Sequence, residues 1–173
     1  MSSPAEAPSP AETPRRAGWR SLCIFLGITF SAATVGGAVT GPSILTWYAS
    51  LAKPWFTPPD WVFGPVWTTL FTMMAVAAWR VWREAGWPAA RPAIILYGVQ
   101  LALNVLWSAL FFGLHRPDWA LAEVVVFAGF IAATMVVFWR VDRIAGLLFV
   151  PYLAWASFAT VLNYVIVGMN PPG

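Results

Sequence analysis

Five stretches of about twenty apolar residues, each nearly free of charge, set the terms on which this chain can fold. They run over residues 20–41, 63–82, 92–113, 118–139 and 145–168. A helix needs about 20 apolar residues to cross roughly 30 Å of hydrocarbon. Composition agrees, since 60% of the residues are hydrophobic and 10% are charged. A soluble domain averages about 25% charged residues, so this chain has too few to clothe a water-facing surface. The sequence predicts an all-α fold, an integral membrane bundle of five transmembrane helices, built as one unit over residues 19–170. Residues 1–18, MSSPAEAPSPAETPRRAG, lack apolar periodicity and read as a disordered N-terminal tail. The first apolar run is too long for the core of a signal peptide and reads as the first span.

Basic residues set the orientation. Arg15, Arg16, Arg20, Arg80, Arg83, Arg91, Arg140 and Arg143 fall on the N-terminal side, and only Lys53 and Arg116 on the other. Cytoplasmic loops collect Lys and Arg, so the N-terminus is expected in the cytoplasm of a bacterial inner membrane, with an outer-membrane location left open. The same placement explains the net charge of +3 without nucleic acid. The connections after the second span are short. The first, residues 42–62, is long and rich in aromatic residues and proline, and reads either as an ordered lid or as an interfacial loop anchored by tryptophans. Pro151 is expected to kink the fifth span.

Several polar and aromatic residues recur at helical spacing inside the spans. Gln100, Asn104, Trp107, Ser108 and Phe111 share one face of the third span, and Trp155, Ala159 and Asn163 share one face of the fifth. Such residues either join helices or line a cavity that orients a ligand. Of the twelve tryptophans, Trp19, Trp79, Trp82, Trp87 and Trp139 fit an interfacial belt. Trp67, Trp107 and Trp155 lie inside spans, where an indole N–H needs an acceptor. Glu123, about one turn into the fourth span, reads as a snorkelling or helix-capping carboxylate. With no chain of intramembrane carboxylates, ion-coupled transport is disfavoured. One cysteine, Cys23, and one histidine, His115, build neither a disulfide framework nor a zinc site. No metal or cofactor is expected, and no Ser/His/Asp set, HExxH or phosphate loop is present.

Three blocks, WYASLAKPWFTPPDWVFGPVW, QLALNVLWSALFFGLHR and RVDRIAGLLFVPYLAWASFATVLN, resemble the signature segments of the TspO/MBR family, the tryptophan-rich sensory or translocator proteins. The resemblance covers residues from about 20 to 165. It implies five transmembrane helices, commonly dimeric, with a pocket that opens toward the connection between the first two. It implies binding of porphyrins such as protoporphyrin IX and of drug-like ligands. The matching ligand-binding positions are Trp47, Tyr48, Trp55, Phe56, Trp67, Asn104, Trp155 and Ala159, and helical spacing adds Trp107 and Asn163 to the expected site. Some bacterial members promote light- and oxygen-dependent breakdown of protoporphyrin IX, for which Trp67 and Trp155 match the pocket tryptophans. The basic residue that ends the sterol motif of animal members has no counterpart after Tyr164, which weighs against a sterol ligand.

The expected function is therefore a membrane receptor or sensor for porphyrin-type tetrapyrroles. The alternatives are a light-dependent porphyrin-degrading enzyme and a transporter of porphyrin or sterol-like amphipaths. The expected partners are a porphyrin or related amphipathic ligand, the lipid bilayer and a second copy of the chain. Small residues on the first span (Ala32, Ala33, Gly36, Gly37) and the fourth (Gly129, Ala132, Ala133) are candidate surfaces for close helix packing, within or between subunits.

Overall fold

The computed structural model describes residues 18–171. The expected tail, with Arg15 and Arg16, falls on residues 1–17 and lies outside the described residues. Every regular element among the described residues is helical. The elements are α1 (Trp19–Ser43), α2 (Asp60–Ser108), α3 (Pro117–Val141), the short α4 (Arg143–Leu147) and α5 (Val150–Met169). Single π-helical turns, Ile44–Tyr48 and Ala109–Gly113, extend α1 and α2.

Four helical runs are long and apolar enough to cross a membrane: Trp19–Tyr48, Asp60–Gly113, Pro117–Val141 and Arg143–Met169. The sequence predicts five separate spans; the structure merges the second and third into one run of 54 residues. That run is not straight. Gly86 stands at φ 69°, ψ 166°, outside the helical region, in a zone of backbone space that is essentially glycine-only. Gln100 meets Met74 at 3.7 Å although 26 residues separate them. An unbroken helix would hold them about 39 Å apart at 1.5 Å per residue. The chain therefore doubles back at Gly86, and the two arms of α2 lie side by side. The second arm starts at this glycine, with Pro88 in its first turn, rather than at Pro92 as the sequence suggests.

Two other proline positions depart from expectation. Pro42 lies inside α1, and the helix passes through it and the following π turn as far as Ser50. Much of the predicted 42–62 connection is therefore helix, and the irregular part is residues 51–59. Pro151 occupies the first turn of α5. Its missing N–H costs no helical bond there, so it starts a helix instead of kinking one.

The bundle packs tightly at one pole. Met74, Ala75, Ala77, Ala78, Val81 and Ala90 have no solvent exposure, and neither do Phe138, Phe149 and Tyr152. The alanines let the two arms of α2 approach closely, and the aromatic rings fill the space against α3 and α5. Phe149 stands edge-on to Phe138 at 5.2 Å, and Tyr152 edge-on to Phe127 at 6.0 Å. Helix α1 joins through a hydrogen bond between Thr29 Oγ1 and Tyr97 Oη. Arg80 pairs with Asp142 at 2.7 Å, and Asp142 also accepts from the backbone N–H of Ile144 at 2.8 Å, which caps α4. Trp79 and Trp82 are less belt-like than their positions suggest. Trp79 Nε1 donates to Ser21 Oγ at 3.2 Å, and Trp82 packs on Phe25 at 6.2 Å.

Candidate functional site

The other pole is hollow. A cavity of about 420 Å³ lies between α1, both arms of α2 and α5. Drug-sized ligand sites fall in roughly this range. Its inner end is formed by Phe30, Phe71, Asn104 and Trp155, and its outer end by Ile44, Tyr48 and Asp60. Gly36, Gly37 and Gly41 of α1 form one wall. A side chain at Gly36 would stand 3.4 Å from Ser108 Oγ, so the glycine lets α1 lie close to the second arm of α2. Of the small residues on the first span, Ala33, Gly36 and Gly37 thus face the cavity. On α3, Gly129 and Ala133 are exposed.

Aromatic rings supply most of the lining. Trp67 packs on Phe71 at 5.4 Å and stands edge-on to Tyr152 at 6.2 Å. Trp155 is held between Phe63 at 5.8 Å and Phe158 at 5.5 Å. Trp107 stacks on Phe111 at 5.1 Å. Each indole is thus locked by a neighbour, and the three occupy different walls of one space.

The polar groups divide by what they already bond. Asn104 Nδ2 donates to Tyr152 Oη at 3.3 Å, and Ser108 Oγ donates to the Asn104 carbonyl at 3.3 Å. With its amide oriented so that both ends find partners, Asn163 bridges to α3, its nitrogen 3.0 Å from the Pro117 carbonyl and its oxygen 3.1 Å from Leu121 N–H. It joins helices while lining the cavity. Trp107 Nε1 is different, because it is buried with no acceptor among the described residues. An unpaired buried donor costs about 1–3 kcal/mol, and this one has no accessible surface toward the cavity.

Seven of the sequence-predicted binding residues line this cavity: Tyr48, Trp67, Asn104, Trp107, Trp155, Ala159 and Asn163. Trp47, Trp55 and Phe56 do not. Trp47 lies flat on His115 at 4.4 Å and edge-on to Phe111. Trp55 is 96% exposed. Phe56 sits between Trp55 at 5.8 Å and Phe158 at 6.3 Å. Helical spacing groups Gln100 with Asn104, but Gln100 lies one turn deeper, in the packed pole. Glu123 lies on α3 away from the cavity. Both its oxygens are inaccessible and unpartnered among the described residues, so it neither snorkels to water nor caps the helix. Sequence reasoning missed Asp60, Phe63 and the α1 wall; no periodic pattern marks the first two.

Residues 51–59 link the α1 extension to α2 and are tied down at two points. Asn170, just past α5, accepts from Ala52 N–H at 3.0 Å and donates to the Ala52 carbonyl at 2.9 Å. Lys53 Nζ donates to the carbonyls of Tyr48 at 2.7 Å and Leu51 at 3.2 Å, and lies 4.7 Å from the Tyr48 ring. It thereby serves as a cationic cap for the end of the α1 extension.

Long apolar helices around an internal, tryptophan-walled cavity define a multi-pass integral membrane protein with a ligand-sized chamber. The TspO/MBR family matches residues 24–168, and the chain belongs to that family. It is 46% identical over 147 residues to the tryptophan-rich sensory protein of Cereibacter sphaeroides, covering 84% of this chain and 91% of that one. It is 40% identical over 153 residues to the tryptophan-rich protein TspO of Chlorobaculum tepidum, covering 87% and 96%. It is also 44% identical over 124 residues to the human translocator protein, covering 70% and 73%.

Proposed function

We propose that this chain is a membrane receptor that takes a flat, amphipathic aromatic ligand of the porphyrin type into the cavity. The observation that carries this reading is the cavity lining: three indoles, each packed against a neighbouring ring, beside Asn104. A tetrapyrrole offers a broad, flat π-face that suits aromatic walls of this kind. The sensory name of the Cereibacter sphaeroides relative supports a regulatory rather than a purely structural role. The working topology has five crossings, the two arms of α2 counted separately. It places the N-terminus in the cytoplasm, the bundle in an inner membrane and a second copy of the chain beside it. Titration with protoporphyrin IX should quench tryptophan fluorescence in the wild type. Trp67→Phe combined with Trp155→Phe should weaken binding about tenfold or more; unchanged affinity would remove the cavity from consideration.

A second reading, light-dependent porphyrin breakdown, is favoured by one observation. Trp67 and Trp155 face the same space, where both could exchange electrons with an excited bound porphyrin in the presence of oxygen. Under illumination the Soret band of bound protoporphyrin IX should then decay faster than that of free porphyrin, and lose this excess in the double variant.

A further inference from the structure

We infer that Asp60 makes the cavity selective by charge, admitting neutral or cationic amphipaths and opposing anionic groups at its outer end. This deepens the porphyrin reading and rests on it. Among the described residues that line the cavity, Asp60 is the sole carboxylate, and no Lys, Arg or His joins it. Its side chain makes no hydrogen bond or ion pair among the described residues.

The basic residues at this pole lie outside the cavity lining and point to other partners. The Lys53 ammonium is held by the Tyr48 and Leu51 carbonyls. Arg116 Nε donates to Asp118 Oδ1 at 2.8 Å, and its guanidinium lies 4.2 Å over the Trp119 ring. His115 is stacked on Trp47, with Nε2 3.3 Å from Ser43 Oγ. These hydrogen bonds leave the Lys53 charge in place, 4.7 Å from the Tyr48 ring, but the only charged side chain among the described residues lining the cavity itself is the Asp60 carboxylate at the start of α2. A porphyrin with two free propionates must turn them away from Asp60 or bind more weakly. The same ring with esterified propionates has no such conflict. At the dielectric of a water-filled opening, one like charge a few Å away weakens binding about two- to fivefold, and salt reduces the effect.

The test uses the full chain in nanodiscs of zwitterionic lipid, titrated with protoporphyrin IX and with its dimethyl ester. Tryptophan quenching is read for wild type, Asp60→Asn and Asp60→Lys. Because the two porphyrins partition differently into lipid, the quantity that decides is the diacid-to-diester affinity ratio compared between proteins. That ratio should shift toward the diacid by about two- to fivefold per nearby carboxylate in Asp60→Asn, and further in Asp60→Lys. High salt should move the wild-type ratio toward that of Asp60→Asn. The same ratio in all three proteins at low salt would overturn the proposal. Absence of quenching by either porphyrin would instead overturn the porphyrin reading. Asp60 would then be judged with neutral N-phenyl-1-naphthylamine and its anionic sulfonate. A wild-type preference for the neutral dye, lost in Asp60→Asn, sustains the inference, and equal behaviour of the proteins sinks it.

Discussion

Asn170 pairs with Ala52 through both ends of its amide, much as a neighbouring strand would, and its Nδ2 also donates to the Ile166 carbonyl at 2.8 Å. Two residues 118 positions apart thus fix the 51–59 connection to the end of α5. Asn170→Ala should release this tether while leaving the cavity lining intact. Each lost hydrogen bond is worth about 0.5–1.5 kcal/mol, so the connection should open more often. Stopped-flow quenching should show ligand dissociation accelerated about tenfold, with little change in the bound spectrum. An unchanged off-rate would mean that the connection does not gate the cavity. This contact was illegible in the sequence, since an asparagine near a C-terminus carries no sign of a partner so distant. Asn104, Trp107 and Ser108 were legible, because helical spacing alone puts them on one face. Gln100 shows the limit of that argument: periodicity gives the direction of a side chain, not where along the helix a cavity stops.

At the level of elements, helix identity followed from apolar length, and helix ends were lost where proline was taken as punctuation. Pro42 is absorbed within a helix and Pro151 begins one, whereas the break that matters is at a glycine. Gly86 needs its positive φ for the two arms of α2 to meet. Gly86→Ala should cost about 1–3 kcal/mol and lower the thermal midpoint of helix loss followed by circular dichroism. A variant as stable as wild type would show that the reversal does not depend on this conformation. At Gly146 the constraint is spatial instead. An added Cβ would lie 2.7 Å from Trp139 Cβ and 2.8 Å from its Cα, and a backbone atom cannot swing aside. α4 can turn under α3 only with glycine there.

Across the whole molecule, charge and packing are both polarised. The pole near Arg80, Arg83 and Arg143 is solid, and the pole near Lys53 and Asp60 contains the cavity. In a Cys23→Ser background, a cysteine placed at exposed Trp55 should react with an impermeant maleimide added outside intact cells. One placed at Arg83 should react only after permeabilisation, and the reverse pattern would invert the proposed topology.

The filled alanine-and-aromatic layer beneath the cavity has a consequence of its own. In this conformation the chamber is a pouch with a floor, not a bore. Whatever enters stays on the near side of that layer and does not pass along the axis of the bundle. Under the proposed receptor function, a message to the far face would be carried by altered helix packing or by a neighbouring molecule that feels it.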